Sequence, residues 1–315
     1  MENKIKFIFV GTPDFGLPAF RALLSDSRFE CLAAICQPDK PIGRDQILTP
    51  PPIKVEALKR NLKVMQPVKM LEIADDLKRL SPDVMVVAAY AKIVPEEILA
   101  IPRYGCINIH GSLLPKYRGA SVIQAAIANG DKETGITIMK MDKNLDTGPL
   151  IAKFTIPIAP DETAESLFAK LSELGGKTII PSLWSYINGD LKPVPQDNKE
   201  ASYVGMLKKE DGRIDWNKSA VEIERFTRAM HPWPGAWTLW QNRVLKIIKI
   251  IQVERTPHKI EAYKPGQIFL TDHVIAIQCG IDALVLEKLK LEGKHETSAE
   301  SFIRGHSDFV HSILT

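Results

Sequence analysis

A short apolar segment, residues 106–110, carries two polar side chains that could act on a carbonyl group. Side chains alternate between the two faces of a strand, so Asn108 and His110 share one face while Ile107 and Ile109 point to the other. A neighbouring amide and imidazole can stabilise negative charge on an oxygen and transfer a proton. The spacing therefore predicts a site for nucleophilic attack on a carbonyl carbon.

The loop at residues 141–148 follows another predicted strand and is expected to bring Asp142 and Asp146 to the same rim as Asn108 and His110. A carboxylate at this rim could take part in catalysis. An aspartate in a turn more often accepts a hydrogen bond from its own backbone, and this alternative stays open from the residues alone.

The elements that must position these side chains are strands and helices that alternate through the first half of the chain. Segments rich in Ile and Val predict strands at 5–10, 31–36, 84–89, 106–110 and 135–141. Helical patterns occupy 17–24, 53–60, 71–80 and 121–129. Such alternation predicts an α/β fold with a doubly wound, mostly parallel sheet, whose ligands bind beyond the carboxyl ends of the strands.

The second half of the chain has a different pattern. A long helix is expected from Thr163 to Asn188, and a polar, proline-bearing stretch follows it. A helix at 220–231 and short strands at 244–253, 266–270, 274–278 and 283–291 then predict a small β-barrel resembling the oligonucleotide-binding (OB) fold. We therefore expect a catalytic domain at 1–189, a linker at 190–205 and a barrel domain at 206–315.

The composition excludes several classes of protein. The 315 residues are 45% hydrophobic and 25% charged, as in globular proteins. The short apolar run at 5–10 leads us to expect no signal sequence, and no apolar run reaches the roughly 18 residues that a membrane span needs. The four cysteines match neither a zinc site nor a disulfide framework. We expect a cytoplasmic monomer that binds no metal and no membrane.

The distribution of charge along the chain is more informative about binding partners than the formal net charge of +3. Residues 242–264 contain six basic and two acidic side chains, and Lys246 and Lys249 are among the basic ones. Charge alone fits either a solvated basic face or a contact with nucleic acid.

Residues 37–52 form a proline-rich loop that interrupts a regular β/α unit. A loop of this length in a compact domain is usually functional or mobile. Its central Arg44 could bind a phosphate or a carboxylate, or could simply be exposed. Gly11 and Gly16 follow the first strand, but their spacing matches neither a P-loop nor a dinucleotide-binding motif, so ATP and NAD are not expected.

Five motifs give the chain a resemblance to a known family. They are GTPDFG at 11–16, QPDKPIGR at 37–44, HGSLLPKYRGA at 110–120, LDTGPLI at 145–151 and HPWPGAW at 231–237. Nearly end to end, the chain resembles the 10-formyltetrahydrofolate-dependent formyltransferases. The second and fifth motifs are similar to those of the family members that act on initiator methionyl-tRNA. Departures from the family pattern fall at Asp45, Gln46, Ala91 and His295.

The resemblance implies that Asn108, His110 and Asp146 form a catalytic trio. The amide and the protonated imidazole would donate to the formyl oxygen, while Asp146 would steer the ring and favour its charged form. The resemblance also implies a folate site in two segments. These are Ser112, Leu113, Leu114 and Pro115 in the loop after the strand, and Val87, Ala88, Ala89 and Tyr90 at a neighbouring strand end.

The resemblance further implies contacts with tRNA. The 37–52 loop, with Arg44, would close on the acceptor end, and the barrel, with Lys246 and Lys249, would contact the tRNA backbone. A formyltransferase acting on glycinamide ribonucleotide or on an amino-sugar nucleotide would keep the same trio, whereas a non-enzymatic RNA-binding protein would not need it. Ser112 is not expected to be a hydrolase nucleophile, because no Gly-x-Ser-x-Gly motif surrounds it.

Overall fold

The computed structural model of the chain describes residues 4–43, 45–252, 263–271 and 274–315. Its backbone divides into two compact units. The N-terminal unit contains residues up to 122 together with 133–157 and 168–205, and the C-terminal unit contains 123–132, 158–167 and residues from 206 onward. The predicted catalytic residues all belong to the N-terminal unit.

The described residues contain strands and helices at the following positions. The strands are β1 (Ile5–Gly11), β2 (Phe29–Ile35), β3 (Lys40–Ile42), β4 (Ile47–Thr49), β5 (Val64–Met65), β6 (Val84–Ala88), β7 (Cys106–His110), β8 (Arg118–Gly119), β9 (Glu133–Lys140), β10 (Leu150–Pro157), β11 (Tyr203–Val204), β12 (Trp237–Trp240), β13 (Arg243–Gln252), β14 (Ile268–Thr271), β15 (Val274–Gln278), β16 (Ala283–Leu291) and β17 (Thr297–Ser298). The helices are α1 (Leu17–Ser25), α2 (Pro52–Lys59), α3 (Ala74–Leu80), α4 (Glu96–Leu99), α5 (Val122–Ala128), α6 (Ala164–Asn188), α7 (Ala220–Met230) and α8 (Ala299–Gly305).

The N-terminal unit is built on a seven-stranded sheet in the order β10-β9-β7-β6-β1-β2-β5. Strands β5, β2, β1, β6 and β7 are parallel, and this confirms the predicted doubly wound, mostly parallel sheet. The chain continues from β1 to β2 on one side and returns to β6 on the other. The carboxyl ends of β1 and β6, where Gly11 pairs with Ala88, therefore border the crevice in which such folds bind ligands.

Two strands at one edge of this sheet run antiparallel to their neighbours. β9 is antiparallel to β7, and β10, which was not predicted as a strand, is antiparallel to β9. This edge affects the site directly, because β9 leads into the loop that carries Asp146.

Helix α6 covers one face of β7. A Cβ atom at Gly175 would lie 3.1 Å from Cγ2 of Ile109, and one at Gly176 would lie 2.6 Å from Cβ of Pro18. These adjacent glycines lower intrinsic helix propensity, but they allow the helix to approach the strand and α1 closely. Since Ile109 faces α6, strand alternation turns Asn108 and His110 to the opposite face.

The C-terminal unit is built on an antiparallel sheet in the order β12-β13-β16-β15-β14, with β17 beside β16. The sheet curls into a half-barrel, which confirms the predicted barrel-like second fold. Its inner side chains include the buried Leu245, Ile247, Leu284 and Leu289. Helix α7 begins at a capping box in which Ser219 and Glu222 each satisfy a backbone N–H of the first turn. The predicted strand end at Val253 lies outside the described residues.

The segment predicted as a loop and the segment predicted as a linker both contain regular backbone pairing. The 37–52 loop includes an antiparallel hairpin of β3 and β4, with exposed Ile47 and Leu48 on its second strand. In the 190–205 segment, β11 pairs in parallel with β8, so that Tyr203 lies opposite Arg118. This segment therefore hydrogen-bonds to the N-terminal unit along its backbone.

Candidate active site

Strand β7 has the bounds that its sequence predicted, Cys106–His110, and presents the first two candidate residues. His110 is buried, with 6% of its surface exposed, and Asn108 is half-buried. No hydrogen bond to the side-chain amide of Asn108 is found anywhere in the described ranges. A half-buried amide whose N–H groups have no partner, next to an imidazole, can donate a hydrogen bond to a substrate oxygen as that oxygen gains negative charge.

The ring of His110 lies between two oxygen atoms. Nε2 lies 2.9 Å from the carbonyl oxygen of Tyr117, and Nδ1 lies 3.7 Å from Oδ2 of Asp146. Because a carbonyl oxygen can only accept, we assign a proton to Nε2 in both the neutral and the charged ring. Nδ1 is then the nitrogen that can gain or lose a proton. Its separation from Asp146 is longer than a direct hydrogen bond.

Asp146 reaches His110 by a route that the sequence did not indicate. Because β9 is antiparallel to β7, its loop begins beside the first residue of β7, where the Met141 N–H donates to the Cys106 carbonyl at 2.8 Å. The sequence predicted that this loop brings Asp146 to the rim where His110 lies, and the structure does place the two side chains together, but the loop leaves β9 at the opposite end of β7. The loop then returns along β7, and this brings the Asp146 carboxylate to the far end of the strand.

The position of Asp146 is fixed by contacts on both its side chain and its backbone. The Gly119 N–H donates to Oδ2 at 2.8 Å. The Gln196 side chain donates from Nε2 to the carbonyl oxygens of Asp146 and Gly148, both at 2.8 Å. Asp146 adopts a left-handed backbone with φ of 53°, which an aspartate tolerates better than most residues.

The loop after β7 is held by two buried hydroxyl groups. Ser112 Oγ donates to the carbonyl oxygens of Lys116 and Tyr117, and Thr137 Oγ1 donates to the Ser112 carbonyl while accepting from the Leu114 N–H. The Leu114–Pro115 peptide bond in this loop is cis. The Ser112 hydroxyl therefore organises the loop internally.

The structure divides the residues predicted to bind folate by accessibility. Leu113, Pro115 and Ala89 are half-buried, whereas the side chains of the other five are buried, namely Val87, Ala88, Tyr90, Ser112 and Leu114. Only the first three offer side-chain surface to a ligand, and any contact with the others would need the backbone or a change in the side chain. The folate roles of all eight residues remain predictions.

Tyr90 differs from the other buried residues because its hydroxyl group has no hydrogen-bond partner within the described part of the chain. Burial raises the pKa of this phenol, and the nearby Cys36 adds to the effect. Its carbonyl oxygen accepts a 2.7 Å hydrogen bond from the Gln37 side chain at the start of the 37–52 loop. The end of β6 is thereby linked to that loop.

The residues predicted to bind tRNA lie in separate parts of the chain. Arg44 is outside the described residues. Lys246 and Lys249 lie on β13, directly opposite Lys290 and Lys288 on β16. Directly opposite residues project from the same face of a sheet, so two pairs of like charges lie side by side there. The sequence had not singled out the two lysines of β16.

Other kinds of chemistry have little support among the described residues. No group of three His, Cys, Asp or Glu side chains is arranged to hold a metal ion in these ranges. Burial raises the pKa of the Cys36 thiol to about 11 and that of Cys106 to about 12, so neither is an activated nucleophile. No helix described for this chain combines the length and the apolar character needed to cross a membrane.

A cleft of about 720 Å³ adjoins the Asp146 loop within the N-terminal unit. Its walls include Asp142, Leu145 and Gln196, together with Arg118 and Tyr203 from the paired strands β8 and β11. The loop that carries Asp146 is therefore accessible from this side.

Comparison with known proteins identifies the class of protein to which this geometry belongs. Residues 3–183 match the family described as formyl transferase, and residues 206–307 match the formyl transferase C-terminal domain. The chain belongs to the formyl transferase family. Many of its relatives are methionyl-tRNA formyltransferases. The one from Myxococcus xanthus is 42% identical over 307 residues, 96% of each chain, and the one from Caldicellulosiruptor saccharolyticus is 42% identical over 314 residues, 98% of this chain and 99% of the relative.

Solved structures show the same fold at lower identity. An N-formyltransferase from Helicobacter canadensis, in complex with folinic acid and dTDP-3-aminofucose, is 20% identical with a TM-score of 0.67, over 90% of this chain and 99% of that one. HypX from Aquifex aeolicus, in complex with tetrahydrofolic acid, is 16% identical with a TM-score of 0.63. The match covers 98% of this chain but only 48% of HypX.

Proposed function

We propose that this chain transfers the formyl group of 10-formyltetrahydrofolate to the free amino group of methionine on initiator methionyl-tRNA, a step that supports translation initiation. Family membership supports formyl transfer, and the names of relatives about 40% identical over nearly the whole chain support the tRNA substrate. The observation that carries the proposal is the convergence of an open amide, an imidazole and a fixed carboxylate at the end of β7.

In the proposed reaction the methionine nitrogen attacks the formyl carbon, a C–N bond forms, and the bond from that carbon to N10 of the folate breaks. The attacking amine loses one proton and N10 gains one, so the two steps balance. 10-Formyltetrahydrofolate supplies the formyl carbon, and the residues of this chain must stabilise the oxygen and move the proton.

The formyl oxygen gains negative charge during attack. We propose that the side-chain amide of Asn108 donates to this oxygen, together with the protonated Nδ1 of His110. Loss of one such donor typically costs about 2.7–4 kcal/mol of transition-state stabilisation. The Asp146 carboxylate, at 3.7 Å from Nδ1, can stabilise positive charge on the ring in the transition state, but it is too distant to accept a direct hydrogen bond from Nδ1.

The amine needs little basic help. A free α-amino group titrates near pH 7.7–8.0 in model peptides, and the electron-withdrawing ester lowers this value further. A large fraction of the substrate amine is therefore already neutral near pH 7. We propose that Nδ1 of His110 gives its proton to N10 as the bond from the formyl carbon to N10 breaks, and that it is reprotonated by the proton released from the amine, directly or through a water molecule beside it.

We propose that the folate lies against the half-buried Leu113, Pro115 and Ala89 at the crevice between β1 and β6. The buried Tyr90 hydroxyl has no partner among the described residues, so a change in its side chain on folate binding would give it the polar partner that buried hydroxyl groups normally have. The remaining predicted contacts, from Val87, Ala88, Ser112 and Leu114, would then be made through backbone atoms.

We propose that the lysine pairs of β13 and β16 contact tRNA phosphates. Like charges directly opposite one another destabilise a sheet, and a bound polyanion would remove this repulsion between Lys246 and Lys290. Lys288, in the other pair, already has a carboxylate partner, with its Nζ 3.4 Å from Oε1 of Glu296. The Nζ atom of Lys249 lies 2.7 Å from Oε2 of Glu287, whereas no carboxylate partner of Lys246 is found in the described ranges. Lys246 is therefore the better placed of the two predicted lysines to bind phosphate.

We propose the domain arrangement that the sequence predicts, with catalysis in 1–189, a connecting segment at 190–205 and tRNA binding in 206–315. The pairing of β11 with β8 supports a role for the connecting segment within the catalytic part. We also propose that the reaction takes place in the cytoplasm and that the enzyme acts as a monomer.

A direct assay tests the proposed function. Purified protein would be supplied with 10-formyltetrahydrofolate and, in parallel, initiator methionyl-tRNA, elongator methionyl-tRNA, glycinamide ribonucleotide and an amino-sugar nucleotide. We expect formylation of the initiator methionyl-tRNA alone at a significant rate. Preferential formylation of glycinamide ribonucleotide or of the amino-sugar nucleotide would show that the proposed substrate is wrong. Failure to formylate any of the four substrates would refute the enzyme assignment.

A further inference from the structure

Gln196 connects the catalytic loop to the segment that the sequence predicted as a linker. Its Nε2 atom donates to the carbonyl oxygens of Asp146 and Gly148, which flank Thr147. Its Oε1 atom accepts from Nε and Nη2 of Arg118, at 3.1 and 2.8 Å. One amide therefore holds two carbonyl groups of the loop that carries the candidate carboxylate.

The chemistry of these partners determines which way the amide points. A guanidinium group only donates and a backbone carbonyl only accepts, so the oxygen of Gln196 must face Arg118 and its nitrogen must face the loop. The reverse orientation would place the amide N–H groups against the donors of Arg118 and the amide oxygen against the carbonyl oxygens of the loop. Arg118 therefore selects the orientation in which both donors of Gln196 point at the loop.

Arg118 is itself placed by polar contacts rather than by an ion pair. Only 1% of its surface is exposed, and no carboxylate in the described ranges lies within ion-pair distance of its guanidinium group. Nη1 donates to the Tyr203 hydroxyl at 2.7 Å and Nη2 donates to Asn198 Oδ1 at 2.8 Å. Since a buried charge is costly unless its donors are satisfied, this network has one well-defined arrangement.

We infer that Gln196 is a positioning residue for the reaction, which acts by holding Asp146 against His110 in the orientation that Arg118 sets. The inference rests on the proposed role of Asp146 in formyl transfer. Asp146 has a left-handed φ of 53° and a side chain held by one N–H group, so its backbone contacts decide where the carboxylate lies. A shift of about 1 Å in a catalytic group can lower a rate by roughly a hundredfold.

Gln196→Glu tests whether the hydrogen bonds from Gln196 to the Asp146 loop are needed, because it keeps the contact with Arg118 but removes the two donors to the loop. The glutamate keeps an acceptor for Arg118, and strengthens that contact, but it presents a carboxylate oxygen to two carbonyl oxygens. The matched control is Asn198→Asp, which adds the same charge beside the same guanidinium group and keeps the acceptor without touching the Asp146 loop. Gln196→Met provides a neutral variant that also lacks both donors, should the glutamate prevent folding.

We expect Gln196→Glu and Gln196→Met to lower kcat for formyl transfer at least tenfold, with KM for the folate changed less than twofold. Tm should also fall in Gln196→Met, because two donors of the buried Arg118 lose their acceptor, so kcat is measured on folded enzyme well below Tm. Asn198→Asp should retain kcat within twofold. The amide proton of Gly119, which donates to Asp146 Oδ2, should move to lower chemical shift in the Gln196 variants only. A purely structural role would lower Tm and leave the kcat of the remaining folded enzyme unchanged.

A double mutant tests whether Gln196 acts through Asp146. In an Asp146→Ala background, Gln196→Glu should lower kcat by less than twofold, because the group that it positions is already absent. A kcat within twofold of the parent in both single Gln196 variants would overturn the inference, as would a full tenfold additional loss in the double mutant. If the parent enzyme formylates no amine, the proposed function fails, and the Gly119 resonance still reports whether Gln196 positions Asp146.

Discussion

Nδ1 of His110 lies 3.7 Å from Oδ2 of Asp146, and each group is held separately by a backbone group of one short segment, residues 117–119. The ring is fixed through its other nitrogen by the Tyr117 carbonyl, and the carboxylate by the Gly119 N–H. Neither group needs the other to keep its place. Nδ1 therefore remains available to donate to a substrate oxygen or to a water molecule while it stays within the field of the carboxylate.

Removal of the proposed oxygen-stabilising amide should abolish most of the activity. We expect Asn108→Ala to lower kcat by about 10²–10³, the effect typical of one lost donor to a developing oxyanion. The fold should survive, because the Asn108 amide has no protein partner in the described ranges. Single-turnover formylation and thermal melting check both parts. The control is Asn188→Ala at the end of α6, which alters another side-chain amide without a described partner, and its kcat should be normal.

Two substitutions of Asp146 should separate its charge from its place in the structure. Asp146→Asn keeps an acceptor for the Gly119 N–H but removes the charge, so kcat should fall at least tenfold while Tm stays near that of the parent. Asp146→Ala removes both and should also lower Tm, since the Gly119 N–H loses its partner. Parallel kcat and Tm measurements distinguish the two. Normal turnover by Asp146→Asn would show that its charge is not needed.

Gly119 should tolerate no side chain. It has φ of 111°, and a Cβ atom would overlap the carbonyl oxygen of Val204, its partner in the pairing of β8 with β11. Gly119→Ala should therefore destabilise the fold and displace the N–H that holds Asp146. The control is Gly189→Ala, where φ is 85° and no atom lies within 4 Å of the added Cβ.

Gly189→Ala should cost only about 1–2 kcal/mol, the penalty of a left-handed backbone alone. Gly119→Ala should lower the free energy of unfolding by more than this amount, and denaturant titration measures the difference. Equal destabilisation by the two substitutions would mean that the contact with Val204 adjusts easily.

The lysine pairs of the C-terminal unit should determine the salt dependence of tRNA binding. We expect Lys246→Gln and Lys290→Gln each to weaken binding and to reduce the slope of log K against log salt by roughly 0.7–0.9. Filter binding at several salt concentrations measures this slope. Lys192→Gln, outside the two strands, serves as the control. Unchanged slopes in both variants of the pair would leave these lysines as solvated surface.

The pH dependence of stability should include a contribution from Glu56. This carboxylate, with 7% of its surface exposed, accepts hydrogen bonds from Arg21 at 2.8 Å and Arg60 at 3.1 Å. The hydrogen bond from Arg21 is the main cause that lowers the pKa of Glu56 below the ordinary value of 4.5, so folding is favoured while Glu56 is ionised.

That stabilisation should be complete above pH 4.5 and disappear as the pH falls through the lower pKa of folded Glu56. Urea denaturation between pH 7 and pH 3 measures it. Glu56→Gln should lower the free energy of unfolding at pH 7, and this free energy should then fall less steeply as the pH is lowered toward 3. Asp75→Asn, at a side chain that is 92% exposed, should change neither. If the free energy of unfolding depended on pH in the same way in Glu56→Gln and in the parent, this contribution would be excluded.

The sequence alone determined the parts of the structure that depend on local pattern. The strand at Cys106–His110 and the strands at Val274–Gln278 and Ala283–Leu291 have the predicted bounds, because alternation and flanking turn residues define them. The shared face of Asn108 and His110 follows from the two-residue period of a strand. The family also followed from sequence, through ordered motifs that were recognised as a resemblance.

Only the tertiary structure decided how distant segments meet at the site. Nothing in residues 133–148 shows that β9 is antiparallel, because strand direction depends on which neighbour it pairs with, so the route of Asp146 back to His110 could not be predicted. Likewise, Gln196 looks like an ordinary polar residue of a proline-bearing stretch. Its role appears only when β11 pairs with β8 and brings Arg118 beside it, since hydrogen bonds between residues 78 positions apart leave no local pattern in the chain.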